Sequence, residues 1–165
     1  MVSRSLVGRV VGTDAEAVSA GADVNSPRND GVLPGKFHDQ VGKDYFVSRD
    51  GVSYAGSHLI IDLWGGTKLD DLDHVEQTLR QMADAAGATL LHIHLHHFSP
   101  NGGISGVAVL AESHITIHTW PERGYAALDA FMCGACDPRD TLPVLRRMFL
   151  PTGISVGEHL RGRTD

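Results

Sequence analysis

The sequence predicts a two-layer α/β sandwich of the α+β class, with a largely antiparallel sheet that carries both helices on one face. Periodicity gives the element order β-α-β-β-β-β-α-β, in which only two segments have helical spacing. Apolar residues alternate with polar ones along the longer strands, as they do when the two faces of a sheet differ. A length of 165 residues suits one domain with a substantial core.

Local patterns place each element in turn. Residues 58–64 are β-branched and apolar and end at two glycines, which predicts a strand. A helix follows because apolar residues recur at helical spacing, at Leu69, Leu72, Val75, Leu79, Met82 and Ala86. Asp70 and Asp71 suit its start and Gly87 its end. Strands are expected at 88–98, 104–111, 114–119 and 125–133, a helix opening at Asp137-Pro138, and a last strand near 153–160.

The first 56 residues differ from the rest in composition. They are rich in Gly, Ser, Asp and Asn, and prolines interrupt any periodicity, so they can bury little apolar surface. We expect an irregular N-terminal extension over 1–56 and a folded domain over 57–165.

Alternation also predicts what covers the sheet. Leu91, Ile93 and Leu95 form an apolar set that should face the helices, whereas the other side of that strand holds His92, His94, His96 and Phe98. In strand 125–133 the second side holds Asp129, Phe131 and Cys133, opposite Leu128, Ala130 and Met132. A face this apolar, with ionisable groups among the apolar ones, is expected to meet another sheet from a second subunit.

Composition excludes some classes of protein. Lys and Arg total 14 against 20 Asp and Glu, giving a formal charge of −6, so the basic surface of a nucleic-acid binder is missing. No segment has the apolar length of a signal peptide or a membrane span, which predicts a soluble, cytoplasmic protein. The two cysteines, Cys133 and Cys136, are too few for a secreted disulfide framework and are expected to be reduced thiols.

Several short motifs suggest chemistry without deciding it. Histidines at alternate positions, His92, His94 and His96, point the same way on a strand and could share a metal ion, so a histidine-rich metal-binding module is one alternative. The Cys-x-x-Cys pair could be half a zinc site or a redox pair. Ser113 stands between Glu112 and His114, but there is no G-x-S-x-G elbow of a serine hydrolase.

Taken together, the motifs point to one family. The run AESHITIHTWPERGYAALDAFMCG resembles the bacterial and archaeal S-adenosylmethionine decarboxylases, which are self-processing pyruvoyl enzymes. The resemblance includes a Glu-Ser bond, a histidine five residues after the serine, a Pro-Glu just beyond, and a cysteine twenty residues after the serine followed by glycine. It extends back through HHFSPNGGISGVAVL to HLIIDLW and forward to EHLRGR, covering roughly residues 57 to 163.

The resemblance implies that the chain cuts itself between Glu112 and Ser113, into a β chain of residues 1–112 and an α chain of residues 113–165. Ser113 would become a covalent pyruvoyl cofactor that forms a Schiff base with the substrate. His118 would act as proton acceptor during processing, and Cys133 as proton donor in catalysis. We expect the Cys133 thiol to have a pKa tuned towards neutrality.

The same resemblance assigns substrate contacts. Phe98 would stack on adenine, Glu122 would bind the ribose hydroxyls, and Ser105 would assist processing. S-adenosylmethionine is therefore the expected substrate, supplying an aminopropyl donor for spermidine and other polyamines, with arginine or ornithine as the alternative inside the family. Position 123 is Arg where relatives often have Tyr, which bears on substrate choice. The expected assembly is a homodimer of processed αβ protomers with no metal, nucleic-acid or membrane partner.

Overall fold

The computed structural model describes residues 46–49 and 51–164, so most of the predicted N-terminal extension lies outside the described residues. Two 3-10 turns, at Pro121–Arg123 and Pro138–Asp140, join the longer elements. The strands and helices, numbered in chain order, are β1 Val47–Arg49, β2 Val52–Tyr54, β3 Gly56–Trp64, α1 Leu72–Ala85, β4 Leu90–His97, β5 Ile104–Leu110, β6 Ser113–Trp120, β7 Tyr125–Cys133, α2 Thr141–Phe149 and β8 Gly153–Arg161.

Six of the strands form one sheet in the order β4-β5-β6-β7-β3-β8, and every neighbouring pair is antiparallel. The long connections from β3 to β4 and from β7 to β8 carry α1 and α2, which pack on each other. From β3 onwards the element order is the predicted one, and the α+β sandwich is confirmed.

The core lies between this sheet and the two helices. Val75, Leu79 and Met82 of α1 are fully buried, and Leu145 and Phe149 of α2 join them. The four central strands β5, β6, β7 and β3 contribute alternate buried residues, whereas the edge strands β4 and β8 add only partly buried ones such as Ile93 and Ile154. Burying a large aliphatic or aromatic side chain contributes about 1.5–3 kcal/mol, so this single cluster dominates the stability of the domain.

The ends of α1 follow from its sequence. The Asp71 side chain accepts a hydrogen bond of 3.0 Å from the His74 amide, which satisfies one of the free N–H groups of the first turn. Gly87, just past the helix, has a φ of +72°, a conformation that side-chain-bearing residues avoid. These two residues fix the helix start and stop to within the range that the periodicity predicts.

Strand β4 departs from the predicted alternation at one residue. The pairing with β5 skips Leu91, since Leu90 is opposite Leu110 and His92 is opposite Val109. This β-bulge turns Leu91 outwards, where it is 57% exposed, and Leu90 takes its place beside the core. The prediction that Leu91 faces the helices is therefore wrong, although Ile93 and Leu95 do pack there.

A short hairpin, β1–β2, occupies residues for which the sequence predicts irregular chain. Gly51, with a φ of +78°, makes the turn. The hairpin joins the end of the domain through a 2.9 Å bond from the Thr164 amide to the Ser53 carbonyl. Each strand of the hairpin has only three residues, and the hairpin is bonded to Thr164, more than a hundred positions away. Neither feature produces a period that can be seen in the local sequence. Among the described residues, no helix combines the length and apolarity needed to cross a bilayer.

Candidate active site

The sheet face opposite the helices, called the outer face below, carries the polar groups. Pairing register and alternation assign to it His58, Ile60, Asp62, Trp64, His92, His94, His96, Ser105, Val107, Val109, His114, Thr116, His118, Trp120, Tyr125, Ala127, Asp129, Phe131, Cys133 and His159. Seven of the ten histidines of the chain are in this set. Large apolar side chains remain exposed among them, with Ile60 at 43% and Trp64 at 52%.

The Glu112–Ser113 bond lies where the chain turns from β5 into β6. The Glu112 carboxylate accepts hydrogen bonds from the Thr89 amide, at 2.9 Å, and from the Thr89 hydroxyl, at 3.1 Å. Ser113 is half-buried and is the first residue of β6, where it pairs with Met132. Thr89 has no signal in the sequence, because its contact with Glu112 spans 23 residues.

Cys133 is the last residue of β7 and lies at the same end of the strands as Ser113. It directly follows Met132, the partner of Ser113, so the structure brings Ser113 and Cys133 to one end of two adjacent strands. Partial burial raises the pKa of the Cys133 thiol above its ordinary value. The expected tuning towards neutrality is therefore wrong for this chain, and the thiol keeps its proton more firmly than a free cysteine does.

Ser105 and His118 form a second group. They are opposite each other on β5 and β6, and the Ser105 hydroxyl lies 2.7 Å from Nδ1 of His118. Both side chains are on the outer face. The structure thus brings together the two residues to which the sequence assigns processing roles besides Ser113.

These two groups are far apart within one chain. Ser113 and His118 are five residues apart along β6, which at about 3.3 Å per residue separates their backbones by about 16 Å. An odd spacing also directs their side chains to opposite faces of the sheet. His118 therefore does not reach Ser113 of its own chain.

His118 lines a pocket of about 280 Å³. The pocket brings together four residues predicted as site residues, Phe98, Ser105, His118 and Glu122, and its lining is completed by Asn101, Thr119 and Trp120. The Phe98 ring is 48% exposed and contacts the His96 ring, with centroids 4.5 Å apart. Trp120 has no signal of its own in the sequence, because Trp-Pro-Glu is equally typical of a simple turn.

A second pocket, of about 270 Å³, lies beside the end of the sheet that holds Ser113 and Cys133. Its walls are the hairpin β1–β2 and the loop after β7, and its lining includes Arg49, Met132, Cys136, Arg139 and Glu158. Burial also raises the pKa of Cys136. This pocket was not predicted, because the hairpin that forms one wall was not.

The predicted metal ligands are not brought together. Over the part of the chain that the structure describes, one set of His, Cys, Asp or Glu side chains could share an ion, and it consists of His58, His114 and Asp129. His92, His94 and His96 are not in it, which corrects the metal-module alternative. They lie on the edge strand β4 and are exposed.

Comparison with known proteins gives the family. A family model described as S-adenosylmethionine decarboxylase matches residues 57–162, well over half of the chain. The chain belongs to the S-adenosylmethionine decarboxylase family. The match begins one residue after the start of β3, so the hairpin and the residues before it lie outside the part that defines this family.

Relatives within the S-adenosylmethionine decarboxylase family resemble the chain over nearly their whole length. An S-adenosylmethionine decarboxylase proenzyme from Methanococcus vannielii is 50% identical over 113 residues, which is 67% of this chain and 92% of the relative. A proenzyme of the same name from Thermomicrobium roseum is 44% identical over 108 residues, covering 65% and 93%. The crystal structure of the adenosylmethionine decarboxylase from Aquifex aeolicus superposes with a TM-score of 0.62 at 32% identity, covering 68% of this chain and 94% of that one.

Proposed function

We propose that this chain is a self-processing, pyruvoyl-dependent decarboxylase that converts S-adenosylmethionine to S-adenosylmethioninamine and CO₂ for polyamine synthesis. The observation that carries the proposal is the placement of the Glu112–Ser113 bond beside Cys133, in a family whose relatives are named proenzymes. Free thiols at Cys133 and Cys136 are compatible with a cytoplasmic location.

Self-cleavage requires a nucleophile next to the bond that breaks. Ser113 Oγ would attack the Glu112 carbonyl carbon and convert the amide into an ester. Loss of the Ser113 α-proton would then expel the main-chain α-carboxylate of Glu112, which becomes the new end of the β chain, and leave dehydroalanine. The dehydroalanine takes up water, releases ammonia and becomes a pyruvoyl group. Two hydrogen bonds to Thr89 fix the Glu112 side chain. They would hold the Glu112–Ser113 peptide bond in place at the strand end until it is cleaved.

The base for that α-proton would come from a second copy of the chain. His118 is about 16 Å along β6 from Ser113, so it cannot act within its own chain. A two-fold axis between two facing sheets, with their strands running in opposite directions, would place His118 of the partner subunit at the end of β6 that holds the Glu112–Ser113 bond, on the outer face of that strand. The exposed apolar side chains of the outer face, Ile60 and Trp64 among them, support such a homodimer of processed αβ protomers.

The pyruvoyl group would supply a ketone that condenses with the substrate amine and accepts the electrons released when CO₂ leaves. Cys133 would deliver the proton that replaces the carboxylate. Its raised pKa suits this task, because the thiol is then protonated throughout the neutral pH range.

The pocket around His118 supports an adenosyl substrate. Phe98 and Trp120 offer aromatic faces for a purine and for a sulfonium cation, and Glu122 offers a carboxylate for two ribose hydroxyls. Arginine and ornithine have none of these groups, so their recognition would leave this pocket without a function. The geometry therefore favours S-adenosylmethionine over the two basic amino acids.

The test is a CO₂-release assay of the purified chain with S-adenosylmethionine, arginine and ornithine in parallel. We expect turnover of S-adenosylmethionine only. A Ser113→Ala variant is the matched control, since it keeps the fold but cannot form the ketone, and we expect no activity from it. Turnover of only a basic amino acid would overturn the choice of substrate.

A further inference from the structure

His58, His114 and Asp129 form a cluster on the outer face that the proposed chemistry leaves without a role. Nε2 of His58 and Nε2 of His114 lie 3.6 Å and 3.5 Å from the same oxygen, Oδ2 of Asp129. His58 Nε2 and Asp129 Oδ2 are buried and have no hydrogen-bond partner at these distances. Buried polar atoms are normally paired, so the cluster calls for an explanation.

Arg161 determines where the proton of His58 lies. Its guanidinium NH1 is 3.0 Å from Nδ1 of His58, and a guanidinium can only donate. Nδ1 must therefore accept, and the neutral ring carries its proton on Nε2, which faces Asp129. A metal ion on Nε2 would need the opposite arrangement, with the proton on Nδ1, so the Arg161 contact argues against a metal site here.

The same reasoning applies to His114. The Thr116 hydroxyl donates to Oδ1 of Asp129 at 2.6 Å, which leaves Oδ2 for the two imidazoles. A carboxylate accepts only, so a bare Nε2 on His114 would set lone pair against lone pair. His114 is therefore expected to present Nε2–H to Asp129. Its ring also contacts the rings of His58 and Phe131, with centroids 6.1 and 6.0 Å apart.

The position of His114 in the chain makes this contact relevant to catalysis. His114 directly follows Ser113, which becomes a free chain end if the bond to Glu112 breaks. In the sheet Ser113 pairs with Met132 alone, because the pairing of β6 with β5 begins at His114. A strand end held on one side tends to fray, and the His114 side chain is the nearest anchor.

We propose that Asp129 is a positioning residue, whose carboxylate attracts Nε2–H of His114 across 3.5 Å and thereby fixes the processed terminus at Ser113 for catalysis. His58, with its proton directed by Arg161, holds the same carboxylate from the neighbouring strand β3. The inference rests on the proposed function, since it concerns the terminus that self-cleavage would create. Misplacing a reacting group by about 1 Å can cost about a hundredfold in rate.

Asp129→Asn tests the proposal, because it keeps the shape and removes the carboxylate. We expect the variant to be cleaved, with kcat lowered about 10- to 100-fold and KM changed less than about threefold. Asp73→Asn, at an exposed position in the first turn of α1, is the matched control and should keep the parent kcat. A parent-like kcat in a folded, cleaved Asp129→Asn protein would overturn the proposal.

A second measurement does not depend on the variant folding. Long-range ¹H–¹⁵N spectra of the parent protein report which imidazole nitrogen carries the proton. We expect Nε2–H on both His58 and His114, and a bare Nε2 on His114 would refute the inference. If the parent protein itself shows no decarboxylation, the proposed function fails, whereas the tautomer result still stands or falls by itself.

Discussion

Ser113 and His118 lie five residues apart on one strand, so their side chains emerge from opposite faces of the sheet and about 16 Å separates their backbones. The roles proposed for both residues require close approach. A single copy of the chain thus holds two separate parts of the proposed site, with Ser113 and Cys133 at one end and Ser105 and His118 at the other.

Mixed dimers should therefore restore what single variants lose. His118→Ala chains are expected to remain uncut alone but to be cleaved when co-expressed with Cys133→Ala chains, which supply an intact histidine. Decarboxylation should recover to about a quarter of the parent level, because half of the dimers are mixed and each has one intact site. Mass spectrometry of differently tagged chains measures the cleavage, and His118→Ala chains that stay uncut in mixed dimers would argue for a site within one chain.

The raised pKa of Cys133 predicts the alkaline limb of the pH profile. A proton donor acts in its protonated form, which is lost as pH rises through the pKa of the group. Because burial raises that pKa, the alkaline decline in kcat should begin at a higher pH than the titration of an ordinary cysteine thiol would give. Cys133→Ala should lower kcat by about 10²-fold or more. A decline that begins near pH 7 in the parent enzyme would contradict this assignment.

Phe98 and Glu122 should govern substrate affinity more than self-cleavage. Removing the stacking ring in Phe98→Ala should raise KM for S-adenosylmethionine by about 10- to 100-fold, in line with about 1–3 kcal/mol for stacking of a base. The cleaved fraction should not change, since the ring lies on the pocket and not at the Glu112–Ser113 bond. Parent-like KM with slowed cleavage would show that Phe98 serves processing instead.

Glu158 and Arg139 should stabilise the wall of the second pocket. Arg139 donates to both carboxylate oxygens of Glu158, at 2.7 and 2.8 Å from NH2, and this contact lowers the pKa of Glu158. Because the pKa of Glu158 is lower in the folded state than in the unfolded state, the contact stabilises the fold at pH values above the unfolded-state pKa. That stability is lost as the pH falls through the folded-state pKa. Glu158→Gln should cost about 1 kcal/mol at pH 7, since the pair is partly exposed, and nothing at low pH. Urea unfolding at pH 7 and at acid pH measures the difference, and an equal cost at both would refute it.

The sequence predicted the sheet and both helices because each obeys a local period, from the strand at 58–64 to the second helix. It missed the outward turn of Leu91, which depends on a one-residue skip against β5, and the hairpin β1–β2, whose strands are too short to show a period. The first failure depends on pairing with a strand distant in sequence, and the second on the shortness of the strands.

The sequence nominates the members of the proposed site but not their arrangement. The family resemblance nominates Ser113, His118 and Cys133, whereas the approach of Cys133 to Ser113 depends on the register of β6 against β7. The pairing of His58 and His114 with Asp129 joins three strands and depends on register, so no linear pattern indicates it. The pKa of Cys133 likewise depends on burial that only the fold provides.

The intact mass of the purified chain tests self-cleavage directly. We predict two fragments, residues 1–112 and 113–165, with the second lighter by one ammonia than the same peptide beginning at serine, and reactive towards a carbonyl reagent. Ser113→Ala should give one uncut chain. A parent protein that remains a single stable chain of full mass, with no reactive carbonyl, would contradict cleavage at Glu112–Ser113 and the pyruvoyl group derived from it.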